Sequence, residues 1–124
     1  MREKMEIHES EEMYLETILR LCERSANVRS IDIAEELNYS RPSVSKAVGL
    51  LQSKGYIAVD GGSIRLTPTG RERAEMVYER HQVLTKLFMK MGAPKSLAED
   101  NACRIEHVVS EEMFGLIKNY LEKN

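Results

Sequence analysis

Apolar residues recur along most of the chain at helical spacing, with one short interruption where polar and apolar positions alternate. In residues 10–24, Tyr14, Leu15, Ile18, Leu21 and Cys22 fall at intervals of three and four, which predicts an amphipathic helix with Ser10 as its cap. After a polar break, Ser30 is placed to cap a short helix that turns Ile31, Ala34 and Leu37 inward. The next helix opens on Ser40-Arg41-Pro42 and buries Val44, Val48 and Leu51. A proline in the first turn forfeits no hydrogen bond, because amides there have no helical partner. Lys54-Gly55 then closes the helix with a cation at its negative end and a residue tolerant of positive φ.

The alternating segment comprises residues 56–59 and 63–67, two β-prone runs joined through Asp60-Gly61-Gly62, which predicts a hairpin. A long helix follows from Thr67-Pro68 or Thr69 to about Met91, with Ala74, Val77, Tyr78, Leu84, Leu87 and Phe88 on one face; Gly92 and Pro94 end it. Two more helices are predicted, over residues 95–108 and from Ser110 to residue 122. Three helices and a hairpin in this order predict a winged helix-turn-helix, with the turn at Asn38-Tyr39-Ser40 and the hairpin as wing. The fold class is therefore mainly α with a small β-hairpin wing. A winged helix-turn-helix domain (1–72) precedes an all-helical domain (73–124). Leu84, Phe88, Met113, Phe114, Ile117 and Leu121 present more apolar surface than so small a domain can hide alone, so a homodimer is expected.

Composition narrows the class. At 124 residues, 42% hydrophobic and 31% charged, the chain is neither disordered nor fibrous. Nothing approaches the ~18 apolar residues of a membrane span. Met1 leads into an acidic, polar segment without an apolar leader, so a cytoplasmic protein with no membrane partner is expected. In that setting Cys22 and Cys103 are poor evidence for a disulfide; each is a small buried hydrophobe or a ligand, and Cys22 reads as the former.

Charge is unevenly spread behind a net value of −2. Residues 25–73 carry 7 basic and 5 acidic side chains, whereas residues 1–24 carry 4 and 7 and residues 74–124 carry 7 and 8. The positive third is the one with the reading helix. Its exposed start offers Ser40, Ser43 and Ser45 hydroxyls for phosphates, Pro42 for a thymine methyl, and Arg41 and Lys46 for guanine acceptors or backbone. Ser30 and, on the wing, Arg65 complete the candidate set for double-stranded DNA. The plain alternative is a polar, well-capped helix start; helix order, wing and charge together favour DNA.

Residues 101–110, NACRIEHVVS, set Ala102, Ile105 and Val109 on one helical side and Cys103, Glu106 and His107 on another. Sulfur, oxygen and nitrogen donors at spacings of three and four suit a divalent transition metal, against the plainer reading of a solvated face. Met13 and Glu16 share a face with Arg20, off the apolar stripe of the first helix; an edge methionine packing on a neighbour is the alternative. His81, between Arg80 and Gln82, reads alone as a surface or hydrogen-bonded histidine, and His8 as an N-terminal surface residue. No His-Glu-x-x-His arrangement points to an enzyme.

EEMYLETI (11–18), RPSVSKAV (41–48), LTPTGRERA (66–74) and above all ACRIEHVVSEE (102–112) stand in collinear order over nearly the whole chain. In these motifs the chain resembles the diphtheria toxin repressor and manganese transport regulator family of metal-dependent transcriptional repressors. The resemblance implies that Met13, Cys103, Glu106 and His107 match an iron-type site, and that Glu16 and His81 match ligands of the manganese branch. That branch has aspartate in place of Met13 and glutamate in place of Cys103. With its two sulfur donors the chain is expected to favour Fe(II) over Mn(II), with Zn(II) or Co(II) substituting in vitro. The chain departs from the iron branch at its ancillary site, which uses the equivalent of His81 but whose other helical ligands fall on Thr85 and Glu99 here, and at two phosphate-gripping arginines, which fall on Leu50 and Ser53. The short architecture is expected to follow the manganese branch. The implied function is a metal-activated dimeric repressor of metal homeostasis genes that reads a palindromic operator, with metal tying the opening helix to a dimerisation domain. The alternative is a metal-independent winged-helix regulator.

Overall fold

The computed structural model describes the backbone of residues 2–123 and the side chains of residues 10–123; His8 lies outside the described side chains. Among the described residues the order is α1 (Arg2–Arg24), α2 (Ser30–Leu37), α3 (Arg41–Ser53), β1 (Ile57–Asp60), β2 (Ser63–Leu66), α4 (Pro68–Lys90), α5 (Lys95–Ile105) and α6 (Glu111–Lys123). The mainly helical fold with one hairpin is as expected. The chain divides into two compact units, Met1–Glu75 and Met76–Asn124, and α4 contributes to both.

In the first unit, Tyr14, Leu15, Ile18 and Leu19 of α1 are buried, as are Ile33, Ala34, Val44, Val48, Leu51, Ile57 and Ile64. These residues lie on α1, α2, α3 and the hairpin, elements in mutual contact. Two caps differ from expectation. α1 begins at Arg2, so Ser10 lies inside the helix; the glutamates upstream are good helix formers. Arg29, not Ser30, caps α2, because the Asp32 carboxylate reaches back to the Arg29 amide at 2.8 Å. Asn38 in the left-handed region (φ 58°) then ends α2.

Ser40 caps α3 as expected, its hydroxyl accepting from the Ser43 amide at 3.3 Å, and Val44, Val48 and Leu51 are buried. The hairpin pairs Asp60 with Ser63 across Gly61 and Gly62, both at positive φ (56° and 85°), as a tight two-residue turn needs. Val28, in the polar break after α1, adds a bridge to Ile64: the Ile64 amide donates to its carbonyl at 2.7 Å. Between the two threonines that compete to open α4, Thr67 is the cap. Its hydroxyl accepts from the Gly70 amide at 3.1 Å and lies 2.6 Å from the Gly55 carbonyl. Gly70 is required here, since a Cβ would lie 1.9 Å from the Tyr56 carbonyl oxygen.

In the second unit, Val77 and Leu84 of α4 and Ala98 and Ala102 of α5 are buried. α5 ends at Ile105, short of the expected residue 108, and Glu106 occupies its C-cap in right-handed helical geometry. A turn leads to Ser110, whose hydroxyl accepts from the Met113 amide at 3.1 Å and so caps α6. No described helix is long and apolar enough to cross a membrane.

Candidate metal centre and nucleic-acid face

Within the second unit, α4 presents His81 to the residue that caps α5. His81 Nδ1 lies 2.8 Å from Glu106 Oε2, and His107 Nε2 lies 3.3 Å from Glu106 Oε1. Glu106 has no exposed surface, and only 7% of either imidazole is exposed. Taking a carboxylate out of water costs several kcal/mol (roughly) unless positive charge and hydrogen bonds answer it. One carboxylate and two imidazoles are oxygen and nitrogen donors whose chemistry fits a borderline divalent cation such as Mn(II), Fe(II), Co(II) or Zn(II).

Cys103 is exposed, whereas Glu106 is wholly buried. Of the three residues expected to share a face, Cys103 is the exposed one and His107 lies between the two in exposure. Cys103 follows buried Ala102 by one position, about 100° further round the helix, which turns it outward. The Thr85 hydroxyl donates to the His81 carbonyl at 2.7 Å.

In the first unit, Met13 is half-buried and its sulfur accepts from the Tyr39 hydroxyl at 3.7 Å; the Tyr39 ring meets Tyr14 edge-on at 6.1 Å. Glu16 is buried and pairs with Arg20 at 3.7 Å, one turn along α1. Arg20 shares the Glu16 face, as the spacing predicts. Cys22 is half-buried; its thiol donates to the Ile64 carbonyl at 3.9 Å, and burial pushes it up from the ordinary range.

At the start of α3, Ser40, Arg41, Pro42, Ser43, Ser45 and Lys46 are all exposed, while Ser30 at the start of α2 is half-buried. The Ser40 hydroxyl donates to that of Ser43 at 2.8 Å, so these two hydroxyls also serve the cap. On the wing, Arg65 pairs with Asp60 at 3.2 Å, both well exposed.

Two charged residues on apolar helix faces, Glu11 and Arg80, had no role assigned from the sequence. Glu11 is buried, accepts from Arg73 at 3.0 Å and pairs with Lys54; Arg73 also reaches the Tyr56 hydroxyl at 2.9 Å. Burial raises the Glu11 carboxyl, but the hydrogen bonds and charges of Lys54 and Arg73 outweigh it and hold the group below its ordinary value of 4.5. Its signal was present: Glu11 precedes Tyr14 and Leu15 by three and four, so it lies on the apolar stripe of α1, where a carboxylate needs a cationic partner. Arg80 likewise falls between Val77 and Leu84 on the buried face of α4.

Residues 67–124 match the family described as "Iron dependent repressor, metal binding and dimerisation domain", and residues 6–62 match "Iron dependent repressor, N-terminal DNA binding domain". The diphtheria toxin repressor of Corynebacterium diphtheriae is 38% identical over 104 residues, covering 82% of this chain and 46% of that protein. The transcriptional regulator MntR of Salmonella typhimurium is 32% identical over 114 residues, covering 90% of this chain and 73% of that protein. A manganese-dependent transcriptional repressor solved in complex with manganese superposes with a TM-score of 0.83 at 27% identity, covering 90% of this chain and 52% of that one. The chain thus spans about half the length of several curated relatives it matches. With both halves matched and a relative such as MntR aligned over most of its length, the chain belongs to the iron-dependent repressor family, a family of DNA-binding transcriptional regulators and not of enzymes.

Proposed function

We propose that this chain is a metal-activated, dimeric DNA-binding repressor of metal homeostasis genes. The observation that carries the reading is the wholly buried Glu106 carboxylate set between the imidazoles of His81 and His107. Residues 1–72 serve as the DNA-reading domain and residues 73–124 as the metal-binding and dimerisation domain. The ligands are drawn from Met13, Glu16, His81, Cys103, Glu106 and His107. A divalent cation held by them would supply positive charge to the carboxylates among these ligands. With Met13 and Glu16 among the ligands, metal would hold α1 in one position and so would set the spacing of the reading helices. The sulfurs of Met13 and Cys103 favour Fe(II) over Mn(II), with Zn(II) and Co(II) binding in vitro.

The dimer reading is supported by α6, none of whose residues is buried, and by Met113, Leu116 and Tyr120, each more than half exposed. A second copy would cover them. Paired chains would present two α3 helices about one DNA turn apart, ~34 Å or a multiple, and so select a palindrome. Arg41, Ser45 and Lys46 would read or grip the groove, with Ser30, Ser40, Pro42, Ser43 and Arg65 beside them.

The test is fluorescence anisotropy of genomic fragments at fixed salt, titrating Fe(II), Mn(II) and Zn(II) against wild type and Glu106→Ala. Metal-dependent binding lost in Glu106→Ala supports the reading. Equal binding with chelator present makes the chain a metal-independent winged-helix regulator.

A further inference from the structure

The turn between α5 and α6 carries Glu106 and His107. The amides of Val108 and Val109 both return to the Ile105 carbonyl, at 3.0 and 3.2 Å. The carbonyls that follow belong to the end of a helix, where oxygens lack helical donors and partial negative charge collects. Arg80, one residue before His81 on α4, answers them. Its Nη1 donates to the Glu106 carbonyl at 2.9 Å and also to the Val109 carbonyl, at the two ends of the turn. The guanidinium carbon stands 5.1 Å over the Phe114 ring, in the first turn of α6.

We infer that Arg80 is the positioning residue of the metal centre: by bridging the Glu106 and Val109 carbonyls it fixes the backbone that aims Glu106 at His81. The inference rests on the metal reading above. A helix places consecutive side chains about 100° apart, so the Arg80-His81 pair can address the backbone and the side chain of one target residue at once. Arginine suits the task because one planar, permanently charged group spans two acceptors and stacks on an aromatic face at the same time. A lysine ammonium offers a point charge without the planar fork. The bridged turn also leads directly into α6, so the same side chain sets how α6 starts relative to Glu106.

The experiment uses the full chain as wild type, Arg80→Met and Arg80→Lys. Mn(II) affinity is read by calorimetry, and Co(II) binding by its visible absorption, which reports coordination geometry. Arg80→Met is expected to weaken Mn(II) about 10- to 100-fold, the range for removal of an outer residue that orients a ligand, and to alter the Co(II) spectrum. Arg80→Lys is expected to fall between it and wild type with its fold retained, so that the comparison stands even if Arg80→Met does not fold. A role limited to stability would lower the melting temperature and leave affinity and spectrum of the folded fraction unchanged. Wild type that binds both ions beside a folded Arg80→Lys that binds them equally well, with the same Co(II) spectrum, overturns this inference alone. Wild type that binds neither ion overturns the metal reading and this inference with it.

Discussion

His81 Nδ1 and Glu106 Oε2 stand 2.8 Å apart across 25 residues of sequence, in an interior from which water is nearly excluded. Glu106→Gln keeps the shape of this contact and removes its charge. It should therefore cost roughly 100-fold or more in Mn(II) affinity, the upper end for groups that orient ligands and a floor for a ligand itself. Metal at 100 times its dissociation constant stabilises wild type by about 2.7 kcal/mol. A thermal melt with and without chelator should show that gain in wild type and not in Glu106→Gln.

Glu11 gives the first unit a dependence on acid. Its carboxyl is held below 4.5 by Lys54 and Arg73 in spite of burial, so its contribution is fully present above pH 4.5 and is lost as pH falls through the lower folded value. Urea unfolding between pH 6 and pH 3 should show a shallower loss of stability in Glu11→Gln than in wild type. At pH 7 the variant should be less stable by about 2 kcal/mol, since Arg73 loses a charged partner.

Gly70→Ala should destabilise the chain by about 2–4 kcal/mol, because the added Cβ would lie 1.9 Å from backbone, which yields less easily than a side chain. Gly49→Ala, with nothing within 4 Å of the added atom in the middle of α3, should stabilise by roughly 0.5–1 kcal/mol. Opposite signs in denaturant melts would separate a glycine kept for contact from one that is merely present.

The two thiols should react at different rates. Cys103 is exposed, whereas Cys22 is half-buried with its thiol pushed up by burial, and the thiolate is the reactive form. Timed alkylation followed by mass spectrometry should modify Cys103 first. Fe(II) or Co(II) should protect it if its sulfur turns in to bind; an unchanged rate, together with an unchanged Fe/Mn preference in Cys103→Ala, would remove the reason for favouring iron.

On the DNA face, Lys46→Ala should weaken binding to specific and unrelated duplexes alike and reduce the slope of log affinity against log salt by about 1, as loss of one phosphate contact requires. Arg41→Ala should cost about 1–3 kcal/mol, and more on the preferred sequence if it reads a guanine.

Most elements were legible because local chemistry writes them. The Ser40-Arg41-Pro42 start, the Gly61-Gly62 turn and the Val44, Val48 and Leu51 stripe each depend on neighbours within a few positions. Where local signals competed, the structure chose. Thr67 prevailed over Thr69 because its hydroxyl also meets Gly55, and Arg29 displaced Ser30 as cap because Asp32 reached back to it. The candidate ligands were named from spacing and from resemblance, but their surroundings were not.

By itself the sequence determined which residues carry helical and turn periodicity, and that Glu106 and His107 lie beside a cysteine, since those facts concern separations of four residues or fewer. Only the tertiary structure decided that Glu106 meets His81, that Arg80 closes the turn beneath it, that Glu11 is buried on Arg73, and that Cys103 is exposed. The reason is physical. Those relations join groups 25 to 62 positions apart, or depend on which side of a helix finds a neighbour, and packing alone fixes both.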